Sequence, residues 1–175
     1  MRDNISHAVG GYANACTMGS YTTIGGGYAN QALGNYSAIS GGYTNIDSAN
    51  YGFIGGGKEN VIRLTALYSA IPGGSNNRVE DQYSFAFGNG VTVSSDYTTV
   101  FYNSAVHSGK VGINTNSPTA ELEVNGTVKI SQILHLESIG ASPPLPGEQG
   151  DICVTDDGKL WYRDASGWRE VHLDP

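Results

Sequence analysis

The sequence predicts an all-β protein: a parallel β-solenoid, or β-roll, of about fifteen-residue repeats, then a β-hairpin neck and a small C-terminal β-meander. Three observations carry that reading. Glycine pairs recur at near-constant spacing, at Gly10-Gly11, Gly26-Gly27, Gly41-Gly42, Gly56-Gly57 and Gly73-Gly74, with Gly88 and Gly90 as a degenerate last copy. An asparagine stands three places after each pair (Asn14, Asn30, Asn45, Asn60, Asn77), and a tyrosine closes each repeat (Tyr21, Tyr36, Tyr51, Tyr68, Tyr83, Tyr97). A β-branched or apolar residue precedes each glycine cluster, at Val9, Ile24, Ile39, Ile54, Ile71 and Phe87. A fixed period this short marks a stack whose units bury their apolar face only against their neighbours. Gly-Gly in every copy argues against helix.

Residues 1–97 read as the repeat shaft. After a polar lead-in over residues 1–6, coils run from His7 to Tyr97 as about six turns, a stub about 30 Å long at the usual strand spacing. The repeat positions Gly26, Gly27, Gly41, Gly42, Gly56 and Gly57 are assigned to corners, where glycine adopts positive φ at no steric cost. Valine at Gly26, Gly41 or Gly56 is expected to cost more than about 1 kcal/mol. Asn30, Asn45 and Asn60 are expected to bond amide to amide along their column, and the tyrosines to layer their rings. Tyr12, Tyr28 and Tyr43, directly after the glycine pairs, are the exposed candidates for ligand contact; inter-coil packing is the competing reading. The fourth spacing is two residues longer than its neighbours, within Val61–Leu67, a bulge that serves either packing or contact.

Residues 98–140 read as the neck. KVGINTNSP is a strand running into a turn, and ELEVNGTVKI places Asn125-Gly126 between two alternating strands, so Leu122 and Val124 should share a face with Val128 and Ile130. Residues 141–150, rich in proline and glycine, read as a linker. Residues 151–175 split into three strands at Asp156-Asp157-Gly158 and Ser166-Gly167, with Trp161, Tyr162 and Trp168 as the main apolar content. Such a module is suited to cap the stack or dock it.

Composition narrows the function. The chain has 25 glycines in 175 residues, roughly double the usual ~7%, and 14% charged residues against the usual ~25%. From His7 to Gly57 the only Asp, Glu, Lys or Arg is Asp47. A net charge of -7 and a pI near 4.8 disfavour nucleic acid, whose binding rests on Lys and Arg. No 18-residue apolar run and no basic, apolar leader occur, so neither membrane insertion nor signal-driven export is expected. Cys16 and Cys153 fall in different regions and read as small hydrophobes, not a disulfide. His7, His107, His135 and His172 lack metal spacing, and Asp156-Asp157-Gly158 reads as a turn, not a calcium loop, so no metal or cofactor is expected. The repeat acids Asp47, Glu59, Glu80, Asp81 and Asp96 offer no carboxylate pair, Glu80 and Asp81 pointing to opposite faces in a strand. No nucleophile stands with a base, and the chain is read as a non-enzyme. A neutral surface of Tyr, Asn and Ser suits carbohydrate. Because one thin coil buries little apolar area, closed association of identical chains is expected.

The motif I-G-G-G-Y-x-N-x-A-x-G-x-Y-S, over about half the chain, resembles the head repeats of trimeric autotransporter adhesins and similar repeats of bacteriophage tail fibres. The resemblance implies a left-handed parallel β-roll wound as a homotrimer. V-G-I-x-T-x-S-P-x-A-x-L-x-V-N-G, Val111 to Gly126, is similar to the segment that joins shaft and terminal domain in many phage fibres. The chain lacks the leader, coiled-coil stalk and anchor of the secreted adhesins, which favours the phage branch. In some phage fibres a self-cleaving chaperone follows; the remaining residues are too few for it, and no cleavage is expected. The resemblance implies a short trimeric fibre or knob on the virion exterior, made in the host cytoplasm, docked to other virion proteins through a terminal segment and adhering to host-surface polysaccharide. A capsid decoration or tail-assembly part without receptor binding is the alternative, and a polysaccharide-degrading tailspike the third reading.

Overall fold

The computed structural model describes residues 6–101, 110–140, 143 and 149–172. His107, and the expected linker except residues 143, 149 and 150, lie outside them. The chain divides into two compact units, Met1–Gly126 and Thr127–Pro175.

The first unit holds β1 (His7–Ala8), β2 (Thr23–Ile24), β3 (Gln31–Ala32), β4 (Ala38–Ile39), β5 (Ile46–Asp47), β6 (Phe53–Ile54), β7 (Val61–Ile62), β8 (Ala70–Ile71), β9 (Gly74–Ser75), β10 (Arg78–Val79), β11 (Phe85–Asn89), β12 (Thr92–Val93), β13 (Thr99–Phe101), β14 (Val111–Ile113) and β15 (Leu122–Val124). The second holds β16 (Ile152–Val154), β17 (Leu160–Asp164) and β18 (Gly167–Glu170).

Each coil contributes one short strand to each of two parallel sheets. One sheet runs β1-β2-β4-β6-β8-β11-β13 and the other β12-β10-β7-β5-β3, so the chain is a β-solenoid of about seven turns. β13 lies beyond the last repeat tyrosine, Tyr97, and extends the stack one strand further than the repeat pattern in the sequence. A third column consists of single bridges, Tyr12 to Tyr28, Tyr28 to Tyr43, Tyr43 to Lys58 and Lys58 to Ser75.

Alternation in two-residue strands turns one side chain in and one out. In the first sheet Ile24, Ile39, Ile54 and Ile71 point inward in register, fully buried. Facing them are Ala32, Asp47, Ile62, Val79 and Val93, also in register and buried. Burying an Ile stabilises by about 2 kcal/mol, and each coil supplies only one or two such side chains. The isoleucines of the expected column are thus the core, but its end members Val9 and Phe87 are exposed, Ala8 and Ala86 standing in their inward register, and a column unrecognised in the sequence closes the core.

The Asn125-Gly126 hairpin is not formed. β15 instead pairs in parallel with β14, and residues 127–137 carry no strand. Glu123 explains part of this: its carboxylate accepts the Thr119 N–H and hydroxyl at 2.7 and 2.8 Å, tying the 114–121 connection to the strand it feeds. Those bonds hold its carboxyl below the usual range. Leu122, expected to share a hairpin face with Val128 and Ile130, instead pairs with Val111 and is exposed.

The second unit is the expected antiparallel meander, β16-β17-β18. Its turns fall at Asp156-Asp157-Gly158, where Gly158 has φ +79°, and at Ser166-Gly167. Residues 138–140 add a parallel edge through Ser138 and Val154. Cys153 is buried opposite Trp161, whose indole N–H donates to the Thr155 hydroxyl at 3.0 Å.

Candidate functional site

Glycine and asparagine act together at one corner of every coil. The second glycine of each pair is the left-handed residue: φ is +91° at Gly27, +97° at Gly42 and +89° at Gly57. A Cβ on Gly42 would lie 2.2 Å from the Gly57 carbonyl oxygen. Gly26 and Gly41 have no positive φ and open surroundings, and Gly56, at φ +151°, also faces open space. At Gly26 and Gly41 the constraint expected at the first glycine therefore sits on the second, because that residue turns the chain against the coil above, whereas Gly56 keeps a backbone constraint of its own.

Asn45 fills the inside of the same corner. Its side-chain Nδ2 reaches the Gly41 and Gly57 carbonyls and Asn30 Oδ1 at 3.0–3.2 Å, while its own Oδ1 accepts the Asn60 backbone and side-chain N–H at 3.0 and 3.1 Å. Asn30 and Asn60 repeat the arrangement, and all three are fully buried. These asparagines are internal braces with no group left to present to a ligand.

The tyrosines form two ladders. Tyr12, Tyr28 and Tyr43 stack at 5.5 and 5.1 Å between ring centroids, and Lys58 continues the column 5.9 Å from the Tyr43 ring. Tyr21, Tyr36, Tyr51, Tyr68, Tyr83 and Tyr97 make a longer ladder at 4.7–5.2 Å with rings within 6° of parallel. Both ladders face solvent. Their ring faces are turned on one another, leaving ring edges and hydroxyls outward; at the ends of the first ladder Tyr12 is 70% exposed, and the outer face of Tyr43 meets Lys58.

All six long-ladder tyrosines lie in the left-handed region, φ 55–60°, as do Ala29, Thr44 and Glu59 at the other corner. Such residues are rarely other than Gly, Asn or Asp, and nothing in the sequence marks them. Their backbone amides point back one coil: Tyr36 N–H donates to Ser20 and Tyr51 N–H to Asn35, both at 2.9 Å, whereas Tyr28 N–H donates forward to Gly42.

Asp47 is the strongly perturbed acid of the solenoid. It occupies the apolar column between Ala32 and Ile62 with no exposed surface. One carboxyl oxygen accepts the Ala49 N–H at 3.1 Å, and the other has no hydrogen-bond partner. Burial raises its pKa to about 7, the Ala49 bond opposing. Gly52 makes the room, since a Cβ there would fall 2.2 Å from the carboxylate; the corresponding places in other coils carry Thr22, Ser37, Ser69 and Ser84.

Among the described residues no three His, Cys, Asp or Glu side chains are grouped to hold a metal ion. Cys16 and Cys153 are both free. Asp157 accepts the Thr155 hydroxyl at 2.6 Å inside the first meander turn, and that bond leads the causes holding its carboxyl low. The chain matches no family model, no curated protein and no solved structure.

Proposed function

We propose that the chain is a structural protein of a bacteriophage virion, a short homotrimeric fibre or knob on the particle exterior that adheres to host-surface glycans. The observation that carries the self-association is the outward side of the first sheet. All four phenylalanines of the chain lie there: Phe53, Phe85, Phe87 and Phe101. The other outward strand positions are His7, Thr23, Ala38, Ala70 and Thr99, with no Asp, Glu, Lys or Arg, although the chain carries a net charge of -7. An uncharged face ending in a phenylalanine cluster matches a contact between copies better than a wetted surface.

Adhesion then works by repetition: three chains presenting identical weak sites gain avidity without a strong one. The stacked ring faces favour edge and hydroxyl contacts over face-on sugar stacking at Tyr28 and Tyr43. They also favour the second reading, a capsid or tail component that stiffens the particle and binds no receptor. Light scattering tests the association: about 55 kDa is expected for three chains of 18.4 kDa, and a monomer overturns it. A glycan array separates the readings, since binding of host-type polysaccharide supports adhesion and a blank array on the trimer leaves the stiffening role.

A further inference from the structure

The largest departure of the solenoid from its own repeat is at one corner. From the buried Ile62 the chain takes six residues to reach Tyr68, where the neighbouring coils take four, from Asp47 to Tyr51 and from Val79 to Tyr83. The two extra residues push Arg63, Leu64 and Thr65 outward as a ledge over the next coil, where the Thr65 hydroxyl bonds the Glu80 carbonyl. Under the ledge is a cleft of about 400 Å³ lined by Arg63, Leu64, Thr65, Arg78, Glu80 and Asp81, within the ~300–1,000 Å³ of small-molecule sites.

Four of the seven exposed or half-exposed charged side chains of the coils line this cleft, Arg63, Arg78, Glu80 and Asp81; the others are Lys58, Glu59 and Asp96. The solenoid from His7 to Phe101 has three cations, Lys58, Arg63 and Arg78. Lys58 pairs with Glu59 and Arg78 with Glu80, whereas Arg63 has no acidic partner among the described residues. An exposed guanidinium without an ion-pair partner lines this cleft together with the apolar Leu64 and with Asp81, more than an ion pair's reach away, a set with two kinds of bonding to offer. The planar fork of Arg63 matches a carboxylate bidentately. Asp81, and the Glu80 oxygen not paired with Arg78, can accept hydroxyls.

We propose that this broken corner is a binding site for a carboxylated sugar, with Arg63 on the carboxylate, Asp81 and Glu80 on ring hydroxyls, and Leu64 against the apolar face of the ring. It rests on the adhesion reading and narrows it to acidic glycans. One site per chain gives three identical sites per trimer, the number over which avidity multiplies.

The test is calorimetric titration of the whole protein with trigalacturonic acid and 3′-sialyllactose, each beside its neutral counterpart, galactotriose and lactose. At least one acid should bind and its neutral counterpart should not. Arg63→Ala should weaken that binding roughly ten- to hundredfold, the value of a charged hydrogen-bonded pair, and Arg63→Lys should fall between. The Arg63 side chain is outside the core, so an unchanged melting temperature in both variants confirms that the stack is intact. An affinity untouched by Arg63→Ala, or equal for acid and neutral sugars, overturns this site while leaving adhesion through another surface standing. Failure of the wild type to take either acid also overturns it, and adhesion is then decided on the neutral members of a glycan array.

Discussion

At the level of single residues, the two glycines of a pair differ in what they tolerate. Gly42 combines φ +97° with a coil directly above it, so Gly42→Val meets both backbone strain and a collision with the Gly57 carbonyl. It should cost about 3 kcal/mol or more in chemical denaturation, whereas Gly41→Val, one residue earlier, should cost under about 1 kcal/mol. Equal losses would remove the corner geometry. Asp47 makes a prediction of opposite character. Its folded pKa of about 7 lies above the ordinary carboxylate value, so the native state holds a proton that the unfolded chain releases. Stability from this group is therefore complete below about pH 4 and falls as pH rises towards 7, by up to about 4 kcal/mol for a shift of three units. Asp47→Asn keeps the shape and removes the titration. It should melt like the wild type at pH 4 and clearly higher at pH 8; a difference between the two proteins that does not change with pH would sink the assignment. Neither feature is visible from composition. Asp47 looks like a surface charge until register places it between Ala32 and Ile62, with Gly52 vacated beside it.

The elements of this protein are ladders that run across coils, and they divide into those a sequence can and cannot reveal. The Asn and Tyr columns are legible because identical side chains stack best on themselves, so selection for stacking writes them as repeats. The facing column Ala32, Asp47, Ile62, Val79, Val93 is not, since any inward residue of fitting volume serves there. The Asn125-Gly126 hairpin misleads for a related reason: a local turn preference is worth little once β15 has a parallel partner in β14 and Glu123 ties the connection. The candidate site is less legible still, since the length irregularity at Val61–Leu67 marks the place, but only the fold brings Arg63 and Asp81 to one cleft. Element energetics can be measured at Asn45. Asn45→Ala leaves the Gly41 carbonyl and the Asn60 backbone N–H without their buried partner, while the Gly57 carbonyl keeps the Tyr43 N–H, at roughly 1–3 kcal/mol for each group stranded. A loss of about 3 kcal/mol or more is expected. Hydrogen exchange should quicken first at the coils flanking Asn45, because a solenoid unit is held only by its neighbours. Protection lost uniformly along the chain would argue for a globally cooperative stack instead.

For the whole molecule the deciding quantity is what one chain leaves uncovered. The solenoid core is two facing files of mainly Ile, Val and Ala side chains, while Phe53, Phe87 and Phe101 remain 42–53% exposed on the uncharged outer face of the first sheet. In the proposed trimer that face is the contact, and its phenylalanines are the anchors, since large aromatics at the centre of an interface carry much of its energy. Phe87→Asp is the discriminating change. The side chain points away from the Ile column, its inward neighbour Ala86 being the residue that fills the core, so the coil can persist in an isolated chain. Placing a carboxylate at the contact should dissociate the assembly to about 18 kDa in light scattering while parallel-sheet circular dichroism is retained at low temperature. The wild type should melt at a temperature that rises with protein concentration, as mass action requires of a stability shared between chains, and the variant should melt lower and independently of concentration. If Phe87→Asp remains a trimer, the contact lies on another face. If the wild type itself is a monomer whose melting ignores concentration, the thin core is sufficient alone, held by its asparagine and tyrosine ladders, and the outer phenylalanines must serve a partner other than a copy of this chain.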